Sequence, residues 1–184
     1  AQPFIMGVVI SVVMGILLTM PTSSAAIWIA IASGSTSDAM MLAGGAAVVG
    51  CAAQMVGFAV MTFKENGVGG LISQGIGTSM LQIPNIMKHP LIFVPPIIAS
   101  AIVGPIATCV FKLRCTAGGG GMGTSGLVGV FGAVEASKGV VSDANIALGI
   151  VFLMFVIPAV VSLLFRILFE KKGWIKGEWM KLDV

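Results

Sequence analysis

The chain has 184 residues, 57% apolar and 9% charged, with a net charge of +3 and a mean hydropathy of +1.07. A soluble domain carries about 25% charged residues, so this chain cannot cover a globule with polar surface, and lipid is its expected solvent. No basic stripe interleaved with aromatics exists, which excludes nucleic acid as a partner, and the Gly-rich run from Gly118 to Gly123 is not followed by Lys-Ser/Thr, which excludes nucleotide hydrolysis by this chain.

Residues 4–20 form the first apolar run, about 17 residues long and at the lower limit for a span. They lack a basic leading region and are not read as a signal peptide. Pro21-Thr22-Ser23-Ser24 breaks the run, and residues 25–33 are too short to cross alone. Ser37 or Asp38 is placed to cap the next helix, which covers 38–63 and can span with some tilt. Lys64-Glu65-Asn66-Gly67 is a polar turn. Residues 69–87 lean apolar but are interrupted by glycines. The next full span, 91–111, carries Pro95, Pro96 and Pro105 and is closed by Lys112 and Arg114. Residues 117–135 are again Gly-rich and interrupted. The last full span covers 144–169, with Pro158 inside. A basic tail over 171–184 is expected on the cytoplasmic side, and Trp28, Trp174 and Trp179 are available for an interfacial belt.

The two interrupted segments share a motif. Gly75-Ile76-Gly77-Thr78-Ser79-Met80-Leu81 returns 46 residues later as Gly121-Met122-Gly123-Thr124-Ser125-Gly126-Leu127, identical at five of seven positions. Broken backbone at membrane depth is tolerated only where protein or a water-filled cavity shelters it. Paired breaks at corresponding places point to a transporter's binding site. The expected fold class is therefore an all-α polytopic integral membrane protein with Gly-rich broken or re-entrant helices and an internal repeat.

Basic residues follow the three long spans at Lys64, at Lys112/Arg114 and at Arg166/Lys171/Lys172. If all three ends are cytoplasmic, the long helices run parallel, the repeat is direct, and the Gly-rich segments cross back between them. In the rival reading each segment is a re-entrant hairpin, and successive long helices are antiparallel. The first reading is preferred on charge.

Several polar residues are placed to bind a solute. Thr78, Ser79, Thr124 and Ser125 set hydroxyls beside glycine-freed backbone N–H groups, and a half-helix starting there turns a partial positive charge toward the cavity. Close helix packing with self-bonded hydroxyls is the plainer alternative. Gln74, Gln82 and Asn85 offer amides that donate and accept at once, as polyhydroxyl ligands require, or they glue helices together. Glu135 can accept from sugar hydroxyls or carry a proton, or pair with Lys138 at the interface. Asp38 is read first as a helix cap. His89, the sole histidine, is read as interfacial. Cys51, Cys109 and Cys115 form no Cys/His cluster and are read as buried, reduced thiols. No metal, cofactor or catalytic residue is expected.

The first motif, with Gly69-Gly70-Leu71-Ile72-Ser73-Gln74 before it and Gln82-Ile83-Pro84-Asn85 after it, resembles the membrane (IIC) component of bacterial phosphotransferase-type sugar transporters. The branch resembled contains perfringolysin-regulator-like proteins. Residues 95–105 and 121–129 look like the same branch. The resemblance covers most of residues 1–170. Because members are typically longer, the chain resembles a C-terminal portion of one. It implies a multi-pass protein of the bacterial plasma membrane, a homodimer, passing a sugar inward while a separate IIB-type protein phosphorylates it. Better-known IIC families contact sugar through a Glu and a His. Glu135 is the position for the Glu, and His89 matches no family motif. Two other functions stay open: a membrane sensor that binds a ligand without moving it, and an ion-coupled symporter or channel in which Glu135 or Asp38 titrates.

Overall fold

In the computed structural model residues 3–182 are described; their regular structure is helical apart from one isolated two-residue bridge, Lys138 to Val141, and 112–124 is irregular. The helices are α1 (Pro3–Thr19), α2 (Ser24–Ala32), α3 (Asp38–Met61), α4 (Phe63–Ile72), α5 (Ile83–Lys88), α6 (Val94–Ile106), α7 (Val128–Ser137), α8 (Asp143–Gly149) and α9 (Ile157–Lys171). Short turns extend α6 to cover Pro90–Phe111, and a π stretch fuses α8 and α9 into Asp143–Lys171. Those two stretches and α3 are long and apolar enough to cross a membrane, at 22, 29 and 24 residues. Serines start the helices as their short side chains dictate: Ser23, Ser37 and Ser142 accept from the backbone N–H of Ala26, Met40 and Asn145. Ser37, not Asp38, is thus the cap of α3.

α3 is the axis of the bundle. Of its apolar window 78% is buried, against 33% for the last span, and α1, α6 and α9 pack around it. The sequence permits this because α3 is built from Ala and Gly where neighbours approach. At Gly50 the backbone of Ser11 leaves no room for a Cβ, and at Gly45 the carbonyl of Leu113 does the same.

The pairings fix helix directions. Along α3, Gly45 meets Leu113, Gln54 meets Ser100 and Gly57 meets Pro96, so α6 runs antiparallel to α3. Gly57 meets Ser162 and Met61 meets Arg166, so α9 runs parallel to α3. The expected parallel set of three long helices is therefore corrected to up, down, up. The reason is electrostatic. Arg114, taken as a free basic end, is only 8% exposed. It donates to both carboxylate oxygens of Asp38 at 2.7 and 3.0 Å. Its charge is cancelled at the start of α3, 76 residues away in sequence. Seven of the ten basic residues instead lie at the other end, with the ends of α3 and α9: Lys64, Lys88, Arg166, Lys171, Lys172, Lys176 and Lys181.

With α6 reversed, residues 62–89 leave and return at that basic end, where Phe58 stacks on Phe93. Residues 112–142 leave and return at the opposite end, where Arg114 N–H donates to Ser137 Oγ at 2.9 Å. Neither Gly-rich segment crosses the bundle.

Two further expectations change. Trp28 is 2% exposed, against Gly120 of the second segment and not in an interfacial belt. Cys51 and Cys115 are buried, but Cys109 is exposed. Burial pushes the Cys115 thiol up to about 12.

Candidate functional site

The first Gly-rich segment is short-legged. α4 ends at Ile72, residues Ser73–Gly77 make one π turn, and Thr78 is extended. Thr78 Oγ1 accepts from Met80 N–H at 3.1 Å and starts a 3-10 turn. The tip at Gly75 rests against Ala59 of α3. The second segment reaches further. It enters past Gly44 and descends through a glycine run to Gly123, which lies against Cys51 and Ala52. It then turns back up α7. Gly123, Gly126 and Leu127 all take left-handed φ values, of 56°, 53° and 60°. Leu127 is an unfavourable residue for that region, and such strain concentrates at functional turns.

The two tips meet. Thr124 is fully buried, and its Oγ1 donates to the carbonyl of Gly75 at 2.6 Å while touching Met55 Sδ. Ser125 Oγ donates to the carbonyl of Gly77 at 3.0 Å. The hydroxyls of one copy thus bond the backbone that the glycines of the other expose. The contact lies beside Met55, six residues from the end of α3, which is about 9 Å inside the basic end. The expected mid-depth meeting is displaced toward that end because the first segment is the shorter one. Ser79, also fully buried, bonds Thr19 of α1 at 2.8 Å. The tips touch directly. An apolar cleft of about 430 Å³, lined in part by Gly75, Ile76, Val56 and Phe155, lies next to them.

Gln74, Gln82 and Asn85 form a chain of their own. Gln82 Nε2 donates to Gln74 Oε1 at 2.9 Å, and Asn85 Nδ2 donates to Gln82 Oε1 at 2.9 Å. Gln74 Nε2 donates to Thr62 Oγ1 and Gly70 O. The remaining donors go to the tail: Gln82 Nε2 to Met180 O at 3.0 Å and Asn85 Nδ2 to Lys181 O at 3.0 Å. Leu182 N–H donates to Asn66 Oδ1, and His89 stacks on Trp179 with centroids 3.9 Å apart. The amide donors are therefore spent holding the tail across the first segment. Glu135 lies exposed on α7, outside the tip contact, and makes no salt bridge with Lys138.

A second polar cluster escaped the sequence reading. Ser11, Gln54, Ser100 and Ser162 sit fully buried where α1, α3, α6 and α9 cross. Ser11 Oγ donates to Ser100 O and Ser100 Oγ to Gly50 O. Among the described residues Gln54 Oε1 and Ser162 Oγ have no partner. The available signal was Gln54, a lone amide in an otherwise apolar span.

Residues 1–182 match the family model described as "Phosphotransferase system, EIIC". No curated protein matches, and no solved structure matches.

Proposed function

The chain belongs to the phosphotransferase system EIIC family, and on that premise we propose that it is the sugar-permease component of such a system, with the solute site at the tip contact. The membrane character and the association with a sugar phosphotransferase system follow from the family and the apolar helices. The finer reading rests on one observation: Thr124 and Ser125 donate to the carbonyls of Gly75 and Gly77. A sugar hydroxyl donates and accepts as these groups do, so it can replace each bond as the tips part. The conformation described is then the closed one. Thr78 and Ser79 flank the contact and join the site when it opens.

Both segments are re-entrant hairpins entering from opposite faces. Each follows a long helix, and the two helices are antiparallel, so the pair forms an inverted repeat, a plan that secondary transporters also use. The basic end is cytoplasmic by the positive-inside rule. The site lies nearest that face, where a IIB-type partner would phosphorylate the sugar. Gln82 and Asn85 reach a solute only when the tail is lifted. The protein works as a homodimer in the bacterial plasma membrane.

Uptake of a labelled sugar panel into proteoliposomes, with and without the IIB-type partner, tests the proposal. Partner-dependent accumulation supports it. Saturable binding with no flux supports the sensor reading in its place.

A further inference from the structure

Two clefts on the outside of the bundle run into one another. The one near the basic end, about 600 Å³, and the apolar one of about 430 Å³ share Val60 and Leu71 as walls. Together they form a groove between α9 and the first hairpin. Its deep end is bounded by Ile76, Phe155 and Ala159. Its mouth is bounded by Lys64, Ile167 and Glu170. From Phe155 in the π stretch to Glu170 in α9 the wall rises through 15 residue steps, about 22 Å. The hydrocarbon half of a bilayer is about 15 Å thick, so the groove is long enough for one acyl chain and its headgroup.

The charges at the mouth are sorted. Arg166, 5% exposed, is held by Glu65 at 2.8 Å, by Glu170 at 3.0 Å and by the carbonyl of Met61. It is satisfied from within. Lys64 is exposed and, among the described residues, makes no salt bridge. Lys171 is likewise exposed with no salt bridge among the described residues, and it lies one helical turn beyond Ile167, just past the mouth. One ammonium group at the mouth and a second a helical turn beyond it thus accompany an opening whose deep walls are apolar. A sugar would find no hydrogen-bond partners along those walls. An acyl chain suits them, and a phosphodiester suits the lysines.

We infer that this groove is a discrete site for one anionic glycerophospholipid, its phosphate between Lys64 and Lys171 and an acyl chain wedged against Gly75 and Ile76 of the first hairpin. The lipid would brace the hairpin next to the Thr124 contact, since Gly75 belongs to both. The inference requires only the membrane setting and stands apart from the sugar reading.

Native mass spectrometry of the full chain in micelles titrated with phosphatidylglycerol or phosphatidylcholine tests it. One phosphatidylglycerol should be retained in preference. Lys64→Ala and Lys171→Ala should each weaken that retention about fivefold, the gain one basic side chain supplies near anionic lipid, and leave phosphatidylcholine unaffected. Ala159→Phe should lower retention of both lipids by filling the deep end. Thermal unfolding of lipid-free variants checks that each is folded. Equal retention of the two lipids, or retention unchanged in the double lysine variant, would overturn the inference by leaving only annular lipid. So would complete competition by millimolar inorganic phosphate, because the acyl wedge would then contribute nothing.

Discussion

Thr124 of the second hairpin donates its hydroxyl to the carbonyl of Gly75 in the first, at 2.6 Å and out of contact with solvent. Removing the donor leaves the half-buried Gly75 carbonyl short of its partner, which costs about 1 kcal/mol. Thr124→Val, which keeps the shape, is expected to lower thermal stability by that order and to weaken sugar binding further. Thermal unfolding with and without a transported sugar measures both. A variant with unchanged stability and unchanged sugar response would separate the site from this contact.

Helix direction can be read from labelling. With α6 antiparallel to α3, Lys88 lies at the same end as Lys64, and Lys112 lies at the opposite end with Asp38. In a background with Cys109 replaced by Ala, Lys88→Cys should react with an impermeant maleimide from the cytoplasm only. Lys112→Cys should react from outside only. The crossing arrangement demands the reverse at both positions. The residual thiols will not interfere, since Cys51 and Cys115 are buried and the Cys115 thiol is held protonated, up to about 12.

The two arginines that close ion pairs differ in what they hold. The Arg166 side chain is 6% exposed and Glu65 12%, whereas Asp38 is 70% exposed beside Arg114. Breaking a buried pair strands a charge, at about 3–5 kcal/mol. Arg166→Met should therefore destabilise the protein strongly, and Arg166→Lys should not restore it, because an ammonium cannot reproduce the planar fork. Asp38→Asn should cost much less. Unfolding temperatures of the three variants in one detergent rank them.

The tail is part of the first hairpin's support. Met180 is fully buried among Phe58, Ile86, Ile92 and Phe169, and its carbonyl accepts from Gln82 and Asn66. Met180→Ala removes packing of the kind that costs about 2–5 kcal/mol, and residues 73–85 should exchange their amide hydrogens faster as a result. Hydrogen exchange confined to the tail alone would show that the hairpin stands without it.

The ion-coupled reading places a proton on Glu135. Because Glu135 is exposed and outside the tip contact, Glu135→Gln should leave sugar uptake and its pH profile intact. Loss of uptake in this variant, or a shifted profile, would instead support proton coupling.

Composition made the helical membrane character legible, since no soluble fold tolerates so little charge. The paired motif was legible too, because glycine and hydroxyl residues stand out in an apolar chain. What escaped was long-range. Arg114 reads as an end marker until Asp38 is found beside it. Gln74, Gln82 and Asn85 read as ligand amides until Thr62 and Gly70 are seen to occupy the first, and the tail carbonyls the other two. Even the depth of the tip contact depends on how far each hairpin descends, which rests on glycine contacts such as Gly75 with Ala59 and Gly123 with Cys51. None of these leaves a local pattern.

The most direct measurement is a cross-link between the tips. With native cysteines removed, Ser125→Cys puts one thiol in place of the hydroxyl that bonds the Gly77 carbonyl at 3.0 Å, and Gly77→Cys puts the other on the residue carrying that carbonyl, where a side chain has open space. The account predicts that a short bifunctional reagent joins them readily in the resting membrane protein, that a transported sugar slows the reaction, and that the joined protein no longer takes up sugar. Failure to join, or full uptake by the joined protein, would contradict it.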